Sequence, residues 1–187
     1  MVQTPSQPLT LDLFLQLPET KPTREFLNGQ ITQKPMPQGE HSTLQAELCK
    51  MIDRIAEPPK IAKAFPELRC VFGGAAIIPD VSVFRWSRIP RSASGRVANR
   101  FELAPDWAIA ILSPDQPQTK VLANLLHCVE HGTELGWLID PENDSVLVIF
   151  PESRVKLYGG SDPLPILQDL DLTLSVTEIF QWLVFPE

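Results

Sequence analysis

Ile77-Ile-Pro-Asp-Val-Ser-Val-Phe84 and, after an arginine-rich excursion, Ala104-Pro-Asp-Trp-Ala-Ile-Ala-Ile-Leu-Ser-Pro114 decide the architecture of this chain. Val81–Phe84 and Trp107–Leu112 are apolar or small at every position, the pattern of strands covered on both faces by other layers. Into the first of them Asp80 enters directly after a proline. A bare carboxylate at such a place costs several kcal/mol, so it must be paired, hydrogen-bonded or metal-bound, unless it only caps a loop at the strand mouth.

The surroundings bound the class of protein. The chain has 187 residues, 43% of them hydrophobic, which suits a single globular domain over 10–187 behind a frayed, disordered tail at 1–9. No apolar run reaches the roughly 20 residues of a membrane span, and the N-terminus lacks the basic-then-apolar pattern of a signal peptide, so a cytoplasmic protein without membrane contact is expected. Cys49, Cys70 and Cys128 are odd in number and widely spaced, which argues against disulfides and a structural zinc site.

Charge is unevenly distributed. Arg85, Arg88, Arg91, Arg96 and Arg100 lie in a stretch without a single acid, giving +5 there against −12 for the remainder and −7 overall. An acidic protein is a poor nucleic-acid binder as a whole, but a concentrated arginine loop can track a phosphate backbone.

Working outward, Thr10 is placed to cap a short helix before Pro18, and Asn28-Gly29 is the dipeptide of a two-residue hairpin turn. Ser42-Thr-Leu-Gln45 has the form of a capping box for a helix running to about Ala56. Glu47 then flanks its apolar stripe, with His41 just ahead of the cap; each is either a site-edge group or an ordinary surface or staple residue. Residues 61–72 read as strand interrupted by Pro66, and Gly73-Gly74 as a turn. Asp115 is placed to cap a helix that shows Val121, Leu122, Leu125, Leu126 and Val129 to the core and stops at Gly132. Lys120, Asn124, His127 and His131 form a second stripe on it, roughly opposite the apolar one. Leu135–Asp140, Ser145–Phe150 and Arg154–Tyr158 follow as strands, and Ser175-Val-Thr-Glu178 caps a last helix. The sum is a mixed α/β (α+β) domain, a central sheet with helices on its faces.

Phosphate loops, dinucleotide-binding glycine patterns, nucleophile elbows and His-Glu-x-x-His helices are absent from the sequence. What remains is an order of short pieces: Glu25 to Gly29, His41, Pro79-Asp80, Ala104-Pro-Asp106, Ile111-Leu-Ser-Pro114 and Gly136-Trp-Leu-Ile-Asp-Pro141. Over residues 10 to 183 this order resembles the Uma-two family of restriction-endonuclease-like proteins, built on the PD-(D/E)XK nuclease core.

The resemblance implies a restriction-endonuclease-like central mixed sheet flanked by helices, and a Mg²⁺-dependent DNA endonuclease. In such a core two carboxylates hold Mg²⁺, which acidifies an attacking water, while a lysine orients it. By resemblance Asp80 is the first carboxylate and metal ligand and Glu47 a candidate ligand from the preceding helix; Asp115, just beyond the strand end, is by its position an assisting acid. The family glutamate falls on Ala110, and the family lysine near Ala123 or Asn124, neither of which can replace it. Lys120 is the nearest base, so the site reads as degenerate. Nucleic acid, DNA by resemblance, is the expected partner, with a homodimer by analogy to nucleases that cut both strands. Three readings stay open: an active endonuclease, a catalytically inactive nuclease-fold module that binds nucleic acid or protein, and an ordinary α/β binding protein.

Overall fold

The computed structural model of the chain describes residues 9–114 and 116–185. Asp115 and residues 1–8 lie outside these, so the expected cap and most of the expected frayed tail are not described. Leu9, the last residue of that tail, packs on the small cluster of Phe14, Phe26 and Ala76.

Strand order follows from which residues alternate between two apolar layers. The elements are α1 (Leu11–Gln16), β1 (Arg24–Leu27), β2 (Gln30–Gln33), α2 (Gly39–Ala56), β3 (Ala62–Pro66), β4 (Cys70–Phe72), β5 (Ala75–Ile77), β6 (Val81–Arg85), β7 (Trp107–Ile111), α3 (Gln118–Glu130), β8 (Leu135–Asp140), β9 (Ser145–Phe150), β10 (Arg154–Gly159) and α4 (Val176–Gln181). Two sheets result, one of order β2-β1-β5-β4 and one of order β10-β9-β8-β7-β6-β3. In the larger sheet β7 and β8 run parallel, joined through α3, and its other pairs are antiparallel.

Side-chain parity on β7 sorts the core. Trp107, Ile109 and Ile111 face the layer of α2 and α4, together with Leu44, Leu48, Ile52 and Ile179. Ala108 and Ala110 face the other layer, against Val121 and Leu125 of α3 and Ile77 of the small sheet. Two alanines let α3 sit close to the sheet, and they also put position 110 on the same side as β5.

Most local signals hold. Asn28 and Gly29 adopt φ of 51° and 75°, closing β1 on β2 with Leu27 opposite Gln30. Thr10 accepts from the Leu13 amide, and Ser175 and Glu178 complete a reciprocal capping box. Two helix starts depart: α3 begins at Gln118 with Pro117, not Asp115, at its cap position, and α2 begins at Gly39 with Gln38 at its cap position, four residues before the expected cap at Ser42. Ser42 therefore lies inside the helix, where the neighbouring Thr43 hydroxyl donates back to the Gly39 carbonyl at 2.9 Å. Gln45, expected to reciprocate the cap, is free to reach elsewhere.

Candidate active site

The link between the sheets, Ile78-Pro79-Asp80, runs from β5 to β6 and carries the carboxylate on which the sequence converges. Asp80 is 2% exposed. Its Oδ2 accepts the Ile111 amide at 2.7 Å, so the end of β7 is tied to the start of β6. Its Oδ1 accepts from Lys34 Nζ at 2.6 Å and faces His41 Nε2 at 3.1 Å. The Asp80 carbonyl accepts from Gln45 Nε2 at 2.8 Å.

A second buried acid stands beside it. Glu25, on β1 and 7% exposed, accepts the Ile78 amide at 2.7 Å through Oε1 and Asn124 Nδ2 at 2.9 Å through Oε2. Lys34, the residue after β2, also donates to the Ile78 carbonyl at 2.9 Å. One ammonium thus serves two buried carboxylates. Ala110 and Asn124 line the same small cavity, of about 20 Å³, with Glu25, Lys34 and Asp80.

The electrostatics follow from burial set against pairing. Burial alone pushes the Asp80 carboxyl upward, but the Lys34 ammonium and the His41 hydrogen bond outweigh it and hold the group below its ordinary range. Burial likewise pushes Glu25 upward, and there it prevails over Lys34 and the Ile78 amide. Lys34 is pressed down by burial yet raised overall by the charges of Asp80 and Glu25.

Of the residues singled out from the sequence, Asp80 and His41 meet here, and the positions read as departures, Ala110 and Asn124, face the cluster as well. Asn124 was expected on a stripe turned away from the core; it turns inward to Glu25. Glu47 is on the outer side of α2, paired with Lys50 at 3.2 Å, and is not among the groups bonded to Asp80. Its expected place is taken by Gln45, two residues earlier on the helix. Lys120 is exposed in the first turn of α3 and makes no ion pair among the described residues.

The arginine stretch lies elsewhere. β6 and β7 are antiparallel, with Val81 opposite Ile109 and Val83 opposite Trp107, so Asp80 is at one end of the pair and the loop at the other, about 16 Å away at strand rise. Arg85 pairs with Glu134 at 2.8 Å and Asp169 at 3.3 Å. Arg88 donates to Asp106, a 2% exposed carboxylate that also accepts the Arg85 amide. Arg91, Arg96 and Arg100 are exposed, and Arg91 stands over the Trp86 ring.

Sequence reasoning missed Lys34 and gave Glu25 no role. The signal was present: Glu25 is the lone acid in a short strand, and Lys34 is the lone Lys or Arg between Arg24 and Lys50.

A cleft of about 930 Å³ opens next to the cluster at the carboxyl ends of β7 and β8, walled by His41, Ser113 and Gln116 and by three acids, Glu40, Asp140 and Glu142. Its lining includes no Lys or Arg among the described residues.

Mg²⁺ requires near-octahedral oxygen ligation at about 2.1 Å. The residues present do not fit that requirement as they stand. Asp80 already takes three partners, Glu25 two, Ala110 offers no oxygen, and the Lys34 ammonium is bonded to Asp80 and to the Ile78 carbonyl beside them.

The sequence profile of the Uma2 family, described as "Putative restriction endonuclease", matches residues 11–179. No curated protein matches the chain significantly. A crystal structure of a putative nuclease belonging to DUF820 from Anabaena variabilis matches with a TM-score of 0.92 and 50% identity, covering 95% of this chain and 100% of that one.

Proposed function

The chain belongs to the Uma2 family, and from that premise we propose that it is a nuclease-fold protein whose metal-dependent cleavage site has become a metal-free ion cluster, leaving a module that contacts nucleic acid without hydrolysing it. The observation that carries this reading is Lys34 Nζ at 2.6 Å from Asp80 Oδ1. A single positive charge stands where two carboxylates would otherwise demand a divalent cation, and every oxygen of those carboxylates has a partner. Ala110 and Asn124 remove the glutamate and lysine that the family resemblance implies at these positions. Acids along the neighbouring cleft, faced by no Lys or Arg among the described residues, further disfavour a bare phosphodiester there.

Contact with nucleic acid, DNA by family, falls to Arg91, Arg96 and Arg100, the arginines of this stretch that pair with no acid among the described residues. At the far end of the strands they hold a backbone away from Asp80, which suits binding better than cutting.

The test is nicking of supercoiled DNA with Mg²⁺ or Mn²⁺. No cleavage is expected from the parent chain, and cleavage is expected from the Ala110→Glu/Asn124→Lys variant, which regains both groups. The same geometry also contains the parts of a rearranged active site, with Glu25 as second carboxylate and Lys34 as relocated lysine. Metal-dependent nicking by the parent that Lys34→Met abolishes would establish that reading and overturn the first.

A further inference from the structure

Away from the Asp80 cluster, the last turn of α3 brings together His127, Glu130 and His131, with one ligand-capable atom of each within 4.8 Å of the others. The spacing is that of one helix face, since residues three and four apart are neighbours there.

Both imidazoles are held by backbone carbonyls. His131 Nδ1 lies 2.8 Å from the His127 carbonyl, and His127 Nε2 lies 3.4 Å from the Phe72 carbonyl. A carbonyl only accepts, so these nitrogens carry the ring protons, and the lone pairs are left on His127 Nδ1 and His131 Nε2. Such fixing of the tautomer by a partner on the far nitrogen is how metal-binding histidines are oriented.

Packing fixes the rings as well. Phe72 stacks on His127 at 5.4 Å between centroids, and the two imidazoles are 4.1 Å apart. Gly73 closes over His131: a Cβ added there would stand 2.2, 2.4 and 2.6 Å from Nε2, Cδ2 and Cε1. Near-equal distances to three ring atoms place Gly73 over the face of the imidazole, clear of the in-plane lone pair on Nε2. Glu130 and His131 are exposed, so an ion can arrive from solvent.

We propose that His127, Glu130 and His131 form a binding site for a borderline divalent transition-metal ion of the Zn²⁺ class, separate from the Asp80 cluster. Two imidazole nitrogens and one carboxylate suit Zn²⁺, Co²⁺ or Ni²⁺; Mg²⁺ prefers an all-oxygen shell. Bound there, the ion fixes the end of α3, which His127 joins to the end of β4 through the Phe72 carbonyl.

Calorimetric titration of the chelator-stripped full chain with Zn²⁺, with the Co²⁺ absorption spectrum as a second readout, tests the site. One equivalent is expected to bind, excess Mg²⁺ should not displace it, and the Co²⁺ bands should lack thiolate charge transfer. His131→Ala, at an exposed position, should weaken binding about tenfold or more at an unchanged melting temperature, and Cys49→Ser should have no effect. Zn²⁺ uptake that His131→Ala leaves intact, a thiolate band, or no uptake at all would overturn the proposal.

Discussion

Lys34 Nζ and Asp80 Oδ1 meet at 2.6 Å across 46 residues of sequence, one from the hairpin of the small sheet and the other from the entrance to the large one. With the pair 11% and 3% exposed, removing one partner strands a buried charge. Lys34→Met is expected to destabilise the fold by about 3–5 kcal/mol, measured by urea unfolding. Lys34→Met/Asp80→Asn should recover part of that loss; strictly additive effects would show that the two groups are not coupled.

Ala110→Glu puts a third carboxylate into the cavity shared by Glu25, Lys34 and Asp80. Without metal the variant should melt lower than the parent, and millimolar Mg²⁺ should raise its melting temperature while leaving the parent unmoved, because a ligand of the folded state alone stabilises it. A drop that Mg²⁺ does not reverse would mark position 110 as plain core.

Stability against pH separates the two acids. Asp80 has a depressed folded value, so its contribution is present above the ordinary 3.8 and is lost as pH falls through that lower value. The stability gap between parent and Asp80→Asn should accordingly narrow only in strong acid. Glu25 has a raised value, so its ionisation costs stability as pH climbs above 4.5, and Glu25→Gln should gain on the parent over that climb. Lys34 contributes fully below 10.5 and loses its contribution as pH rises through its higher folded value. Unfolding curves across pH that show the opposite slopes would contradict these assignments.

The five arginines should divide into two groups. Arg91→Ala/Arg96→Ala/Arg100→Ala is expected to weaken salt-sensitive duplex binding with no change in melting temperature. Arg88→Ala is expected to lower stability by about 1–3 kcal/mol, because Asp106 loses a donor while remaining buried. Equal duplex affinity of the triple variant and the parent at low salt would remove the loop from the interface.

Much of the fold was legible because it is written locally. Strand runs without a polar face, Asn28-Gly29, and the Ser175 and Glu178 box each specify their own element. Asp80 was legible for the same reason, as a charge in an apolar run. Its partners were not. Lys34 reaches it only because β1–β2 pairs through β5 rather than with the strands of the large sheet, a long-range fact with no local signature. The arginine loop misled by composition: its charge density is real, but Arg85 and Arg88 are consumed by Glu134, Asp169 and Asp106, which lie far along the chain. At α2 a serviceable box at Ser42 was overrun by a longer helix, since its apolar stripe already begins with buried His41.

The segment joining the two sheets is clamped on both flanks. Glu25 holds the Ile78 amide and Asp80 holds the Ile111 amide, with Lys34 bridging between. Neither sheet can therefore loosen at this seam without exposing charge that belongs to the other. In hydrogen exchange the Ile78 and Ile111 amides should behave as one gate, opening together with a single protection factor, and that joint opening is the cost any ion must meet to reach the carboxylates.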